Sequence, residues 1–516
     1  MDVLSGLLGG LADIATPTNL LLLAAGVTMG MVIGVMPGLG PSAGIAILLP
    51  LTFGLEPVSA VVMLAAIYYG AMYGGTITAI LINTPGEAAS VASTFDGYPL
   101  AQQGKAGPAL VLCAAASFVA GVVGVAGLAF LAVPFGQVSR RFGPVEFFLL
   151  LLLGLSCLIV IVGGNRLKGA ISALIGLAIG TVGIDLGSGV PRFTGGSPEL
   201  IAGIGFVPIA IGLFGIGELL YGISSGDHTR AYQHRSVGVR SKNFWPSRHE
   251  WREARAPTAR GSVLGFLVGI LPGAGATIAS FMAYTVEKRV SKTPERFGKG
   301  AMPGLVGPEA ANNAASAGSM VPLLALGIPG SGATAVLLAA LLLYGLQPGP
   351  LLMVENPDFA WAVIASMFVG NMMLVLMNIF AIPVFASFMK VPYRIAAPII
   401  IVLCTIGTYT VNASMWETWL MLGAGVVGYY MKLCGYSPAA TVVALVLGPL
   451  AEQALRQTLI ISGGSFSIFW ERDAARAILI VAVVLAALLM LYARYARSRA
   501  VRTPDREDDK ESVGLV

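Results

Sequence analysis

"GVMPGLGPSAG", residues 34–44, lies within the uncharged stretch 19–55, and it places glycine and proline where a membrane helix would have to continue. Proline removes a backbone donor and collides with the preceding turn, while glycine admits positive φ, so a regular helix cannot run through PGLG. The chain must unwind or turn there. A second copy, "GILPGAGATIA" at 269–279, lies 235 residues on (269 minus 34), and Gly26, Gly30, Gly34, Pro37, Gly38 and Gly40 meet Gly261, Gly265, Gly269, Pro272, Gly273 and Gly275. Further on, "NTPGEAAS" (83–90) matches "GIPGSGAT" (327–334), and "SFVAG…VPFG" from Ser117 meets "SMFVG…IPVF" from Ser366. Three matches in one order, with slowly drifting offsets, predict a duplication with small loop insertions between the copies.

Composition sets the surroundings of these breaks. Hydrophobic residues make up 56% of 516 and charged residues 11%, with a mean hydropathy of +0.82, which marks an integral membrane protein. Uncharged runs lie at 19–55, 57–86, 106–139, 147–165, 169–184, 200–217, 261–286, 310–354, 359–389, 395–416 and 477–493. Several exceed the roughly 20 residues that one crossing needs, so run 310–354 holds two passes, or one pass and a re-entrant segment. The expected fold is all-α, with roughly a dozen transmembrane segments at that helix length. A membrane β-barrel would show alternating strands of about ten residues instead.

The expected organisation is an interfacial N-terminal segment (1–14), membrane repeat 1 (15–222), a basic linker (223–256), membrane repeat 2 (257–475), an extra C-terminal transmembrane helix (476–494) and a charged tail (495–516). The N-terminus lacks a basic n-region, so its weakly amphipathic start reads as an interfacial helix and not as a cleaved signal. Residues 223–260 carry eight Lys or Arg against three acids, and "RYARSRAVR" (494–502) follows an apolar run. By the positive-inside rule both lie in the cytoplasm. Basic stretches of this kind flank membrane spans, so no nucleic-acid partner is expected. Residues 287–299 hold five basic and two acidic residues, whereas the equivalent "FGLEP" (53–57) holds no base, and this contrast predicts an inverted repeat.

Enzymatic readings find little purchase. All three histidines, His228, His234 and His249, lie in the basic segment, and no HExxH or phosphate-binding loop occurs. Cys113, Cys157, Cys404 and Cys434 stand singly in apolar runs and read as small core residues. No metal site is expected.

The breaks carry the chemistry. Pro41–Phe53 would be about 20 Å long as a helix, shorter than the hydrocarbon core of about 30 Å, so it fits one arm of a re-entrant hairpin. Broken backbone at membrane depth survives only inside protein or beside a watery cavity. Helix N-termini favour anions, and exposed carbonyls favour cations such as Na⁺. The candidate binding residues are therefore Pro37, Gly38, Gly40 and Ser42; Asn83, Thr84, Pro85, Gly86 and Ser90; Pro272, Gly273, Gly275 and Thr277; and Pro329, Gly330, Ser331 and Thr334. Asn312 and Asn313, near a Gly/Ala-rich helix start, join them through their mixed donors and acceptors. Glu309 either binds a cation or proton or caps a helix, and Glu87 is equally open. The plainer reading is that glycine and proline only kink spans and allow close packing. Four matched breaks favour binding.

"NTPGEAASVASTFDGYPLAQQGKAGPAL", "GILPGAGATIASFMAYTVEKRVSKTPERFGKG" and "GPEAANNAASAGSMVPLLALGIPGSGATAVLLAALLLYGLQPGPLL" resemble the large membrane subunit of the tripartite tricarboxylate transporters, from about Asn19 to Leu459. The resemblance implies a permease of the bacterial inner membrane, working with a small membrane subunit of about four spans and a periplasmic solute-binding protein. It implies uptake of tricarboxylates or related organic carboxylates, with Na⁺ or H⁺ as coupling ion and no other cofactor. A scaffold or receptor subunit that docks the binding protein without moving solute is the alternative, and broken helices at matched positions speak against it.

Overall fold

The computed structural model describes residues 3–36, 38–139, 142–161, 166–185, 188–225, 244–271, 275–349, 352–380, 384 and 393–483. The described chain is almost wholly helical, as a lipid environment requires when no water can satisfy backbone groups. In order come α1 (Val3–Ile14), α2 (Pro17–Val35), α3 (Pro41–Leu48), α4 (Pro57–Ile82), α5 (Val91–Leu100), α6 (Ala106–Ser139), α7 (Pro144–Ile161), α8 (Arg166–Gly180), α9 (Phe206–Ala210) and α10 (Gly217–Ser225). Then follow α11 (Arg248–Ile270), α12 (Gly275–Val290), α13 (Met302–Gly318), α14 (Met320–Leu326), α15 (Gly332–Leu343), α16 (Leu352–Glu355), α17 (Pro357–Phe380), α18 (Tyr393–Asn412), α19 (Met415–Leu433), α20 (Pro438–Ile461) and α21 (Ile468–Glu471). Among the described residues, seven helices are long and apolar enough to cross a membrane, and five shorter apolar ones accompany them. The only strands among the described residues, β1 (Gly183–Ile184) and β2 (Pro191–Arg192), form a small antiparallel hairpin. Arg192 Nη1 ties it to Glu452 at 2.8 Å.

Two glycine ladders organise the interior. Gly26, Gly30 and Gly34 of α2 face Met63, Ile67 and Ala71 of α4, and a Cβ on any of the three would lie within 3.0 Å of a backbone oxygen. Gly261, Gly265 and Gly269 of α11 meet Gly307, Ala311 and Ala315 of α13 in the same way. With little hydrophobic drive between helices in lipid, such small-residue seams let backbones approach and gain dispersion contacts. Residue numbers rise together along both seams, so α2 runs parallel to α4 and α11 parallel to α13.

Parallel neighbours joined directly in sequence need the intervening chain to come back. Between α2 and α4 this is done by α3 and the 3₁₀ turn Leu49–Thr52; between α11 and α13 it is done by α12. The turn into α3 passes through Met36, extended at φ −87 and ψ 108, and Gly38 at φ +89. The turn into α12 ends on Gly275 at φ +61. Across the centre, Tyr68 reaches Ser319 and Thr76 reaches Glu309, so α4 and α13 run antiparallel.

The core sits on these two helices. Every residue from Ser59 to Ile82 is buried, and so is all of α13 except Pro303. Outer helices carry the lipid-facing apolar surface, for example Ile399, Val402, Ile406, Trp416, Trp419 and Val426 on α18 and α19. Charge gathers at helix ends: Lys105–Glu250 at 3.0 Å, Arg296–Glu253 at 3.2 Å and Arg260–Glu287 at 2.6 Å join the ends of α5, α11, α12 and the loop before α13.

Two local readings change. Helix α11 begins at Arg248, inside the stretch read as linker, because Ser247 and Glu250 form a capping box there: Ser247 N donates to Glu250 Oε2 at 2.9 Å. Cys434, read as a core residue, is exposed where α19 ends, whereas Cys113 and Cys404 are buried; the Cys157 side chain lies outside the described residues.

Candidate functional site

Two of the four breaks share one backbone design. Helix α4 ends on Asn83, in the left-handed region at φ +55, and the chain restarts behind Glu87, whose carboxylate accepts from the Ser90 backbone N–H while Ser90 Oγ accepts from Glu87 N at 3.3 Å. Helix α14 ends on Gly327 at φ +69, and α15 starts behind Ser331, whose Oγ accepts from Thr334 N at 3.3 Å while Thr334 Oγ1 accepts from Ser331 N at 2.8 Å. Left-handed residue, first cap residue and second cap residue stand at 83, 87 and 90 in one break and 327, 331 and 334 in the other. Ser90 and Thr334 are fully buried, with hydroxyls engaged in these caps.

The breaks converge on the α4–α13 centre. A Cβ on Gly332 would lie 2.9 Å from Ser42 Oγ, so the N-termini of α3 and α15 meet. Gly40, which caps α3 without a side chain, has open space around the Cβ position, as does Gly275 at the start of α12. On the other side, Gly86 is buried against the backbone of Gly34 and Gly75, bringing the second break onto the end of α2. Gly330 is likewise buried against Ser319, and Pro329 is buried beside it. Helix α12 packs on the Ala88–Ser90 turn, with Thr277 half-buried. Asn83 is exposed, Thr84 and Pro85 are half-buried, and Thr84 Oγ1 donates to Ile82 O at 3.3 Å. Pro37, Pro272 and Gly273 lie outside the described residues.

A polar network fills the space between. Glu309 is 1% exposed and accepts from Thr76 Oγ1, from Ser93 Oγ at 2.9 Å and from Asn313 Nδ2 at 3.4 Å. Asn313 Nδ2 also donates to Ser117 Oγ at 2.7 Å, and Asn312 Nδ2 donates to Glu87 Oε1 at 3.0 Å. Tyr68 Oη and Ser319 Oγ share a bond of 3.2 Å, and Tyr73 Oη donates to Asn371 Oδ1 at 2.7 Å. Glu309, Asn312 and Asn313 lie inside α13, not near its start, so Glu309 caps nothing; Glu87 does cap.

Thr76, Ser93, Ser117, Tyr68 and Ser319 escape the sequence reading. Their signal was a hydroxyl among uncharged neighbours, which is common in membrane helices and becomes specific only when a carboxylate faces it. Beside the Gly327–Thr334 break, a cleft of about 260 Å³ is lined by Phe142, Gly143, Phe147, Gln347, Gly349 and Gln457, and it holds no charged side chain among its described lining.

Chemically, the site has two characters. Where α3 and α15 meet there are helix N-termini and hydroxyls without an acid, a setting that suits an anion. Where Glu87 and Glu309 meet there are carboxylates without a base, a setting that suits a cation or proton.

Comparison with known proteins agrees with the sequence resemblance. Residues 20–443 match the family described as the tripartite tricarboxylate transporter TctA family. A protein of Agrobacterium vitis described as an uncharacterized 52.8 kDa protein in the TAR-I ttuC′ 3′ region is 42% identical over 492 residues, covering 95% of this chain and 97% of its own. Another from the same organism, described as an uncharacterized protein in the TAR-II ttuC′ 3′ region, is 40% identical over 227 residues, covering 43% of this chain and 94% of its own. No solved structure matches the chain. The chain is a multi-pass membrane protein and belongs to the tripartite tricarboxylate transporter TctA family, a family of transporter subunits and not of enzymes.

Proposed function

We propose that the chain is the permease of a binding-protein-dependent secondary transporter that imports tricarboxylates or related organic carboxylates in symport with Na⁺ or H⁺. The observation that carries this reading is the meeting of two interrupted helices, α3 and α15, with their N-termini at Ser42 and Gly332 beside open space at Gly40. A carboxylate there is met by N–H groups and hydroxyls, each charge-assisted bond contributing about 1.5–3 kcal/mol. No buried Lys or Arg among the described residues competes for that role.

Two inverted repeats frame the site in this reading. Its support is the pair of parallel glycine seams, α2 with α4 and α11 with α13, set against the antiparallel crossing of α4 and α13. The end that carries Lys105, Arg260, Arg296 and Lys299 faces the cytoplasm of an inner membrane by the positive-inside rule, and the C-terminus lies on the same side. A periplasmic solute-binding protein delivers substrate, a small membrane subunit of about four spans completes the complex, and the bundle holding the breaks moves against the remaining helices.

The test is uptake of labelled citrate, with other carboxylates as a panel, by vesicles holding all three components. Accumulation above the outside concentration, dependent on a Na⁺ or proton gradient, is expected. Binding of the loaded solute-binding protein without uptake of any panel member would reject transport in favour of a docking subunit.

A further inference from the structure

The polar centre holds two carboxylates and no base. Glu309 is buried and Glu87 half-buried, and no Lys or Arg is buried among the described residues. Two neighbouring negative charges in such a place repel each other with little solvent screening.

Hydrogen bonds distinguish the two acids. Glu309 receives three side-chain donors, from Thr76, Ser93 and Asn313, so its carboxylate is served as an anion. Glu87 receives Asn312 Nδ2 at 3.0 Å and the Ser90 backbone N–H. Asn312 is fully buried, that bond aims its side chain at Glu87, and its Oδ1 has no donor. Buried amide oxygens left without a donor are rare, and each asks for a missing hydrogen.

We propose that Glu87 is the carrier of an exchangeable proton, held as a carboxylic acid whose O–H donates to Asn312 Oδ1. An acid and a primary amide can pair through two hydrogen bonds running in opposite directions, and one of the two is already in place. Protonation takes one H⁺ from water, forms one O–H bond and removes one negative charge; release returns the H⁺ to water. Asn83 and Ala88, both exposed, flank Glu87 and give that water access. As the coupling step of transport, the assignment rests on the permease reading; as a statement about Glu87, it does not.

The titratable groups around Glu87 are few. Helix α13 brings Glu309; α4 brings Tyr68, Tyr69 and Tyr73; α6 brings Cys113. Asp96 of α5 is held by the backbone N–H groups of Gly298, Gly300 and Ala301 at 2.8–2.9 Å. Helix α12 has no titratable residue before Tyr284, and its Glu287 is paired with Arg260, followed by Lys288 and Arg289 in the last turn.

The test is infrared difference spectroscopy of the full chain in nanodiscs, between acidic and alkaline buffer, in potassium and in sodium salts. A neutral carboxylic-acid carbonyl band should appear on acidification, vanish in Glu87→Gln and persist in Glu309→Gln. Carbodiimide, which reacts with protonated carboxyls, should modify Glu87 of the unmutated chain, less at alkaline pH and equally with or without sodium. Modification at Glu309 instead, or protection by sodium, would overturn the proposal, the latter assigning the space to a metal cation. Citrate uptake by the three-component complex is followed in parallel. If Glu87 titrates but no carboxylate is moved, the permease reading fails alone; if uptake proceeds and Glu87 shows no band or modification, this assignment fails alone.

Discussion

After Ile82 the chain turns through Asn83 and restarts behind Glu87 and Ser90; after Leu326 it turns through Gly327 and restarts behind Ser331 and Thr334, with the same left-handed residue and the same reciprocal cap. What differs is the charge at the first cap position. One break presents a carboxylate beside Asn312, and the other presents a hydroxyl beside Ser42 and Tyr68. A helix start needs only an acceptor at its cap, and glutamate and serine both supply one. The backbone is therefore indifferent to a substitution that gives the two sides of the site opposite chemical preferences. Neighbours then add to the difference: Glu309 deepens the negative character of one side, and Tyr68 and Ser42 bring hydroxyls to the other.

The comparison can be broken most forcefully at the ladders. Gly34→Leu and Gly265→Leu each drive a side chain into a facing backbone, at Ala71 and Ala311, where no rotamer change gives relief. Overpacking costs about 1–3 kcal/mol where side chains can yield, and more against backbone. Both variants should lose most folded protein, read as monodisperse material after detergent extraction. Tolerance in one half only would show that the two seams are not equivalent.

A finer probe is the left-handed residue. Gly327→Ala places a methyl 2.5 Å from Pro348 O at φ +69 and should cost about 2 kcal/mol. Asn83→Ala, at a position already occupied by a side chain, should cost under about 1 kcal/mol. Thermal unfolding in one detergent compares the pair, and equal losses would remove the distinction between them. The smallest effect is expected at the neutral cap, where Ser331→Ala removes the acceptor for Thr334 N and should lower stability by about 1 kcal/mol. The same assay reads it. A loss several times larger would mean that Ser331 holds more than its own helix.

Much of this was legible in the chain itself. Long uncharged runs identify a helical membrane protein because lipid satisfies no backbone group, and PG pairs inside those runs mark breaks because proline and glycine act through local sterics. The aligned motifs at 83–90 and 327–334 also contain the two caps, which are a matter of residues three apart. The end of the helix at Cys434 and its start at Arg248 went unread, although Gly435 at φ +71 and the Ser247–Glu250 capping box are themselves local signals.

The site's chemistry was decided elsewhere. Ser93 and Glu309 are 216 residues apart, Thr76 and Glu309 are 233 apart, and Glu87 and Asn312 are 225 apart. No periodicity links such pairs. They meet because the glycine seams set α2 on α4 and α11 on α13, and because α4 crosses α13 antiparallel, which carries one break to each side of a common centre. Sequence by itself determined that the helices break and where, because those are properties of adjacent residues. Which hydroxyls, amides and carboxylates share the space between the breaks depended on how close the backbones could approach, and only the packed tertiary structure sets that.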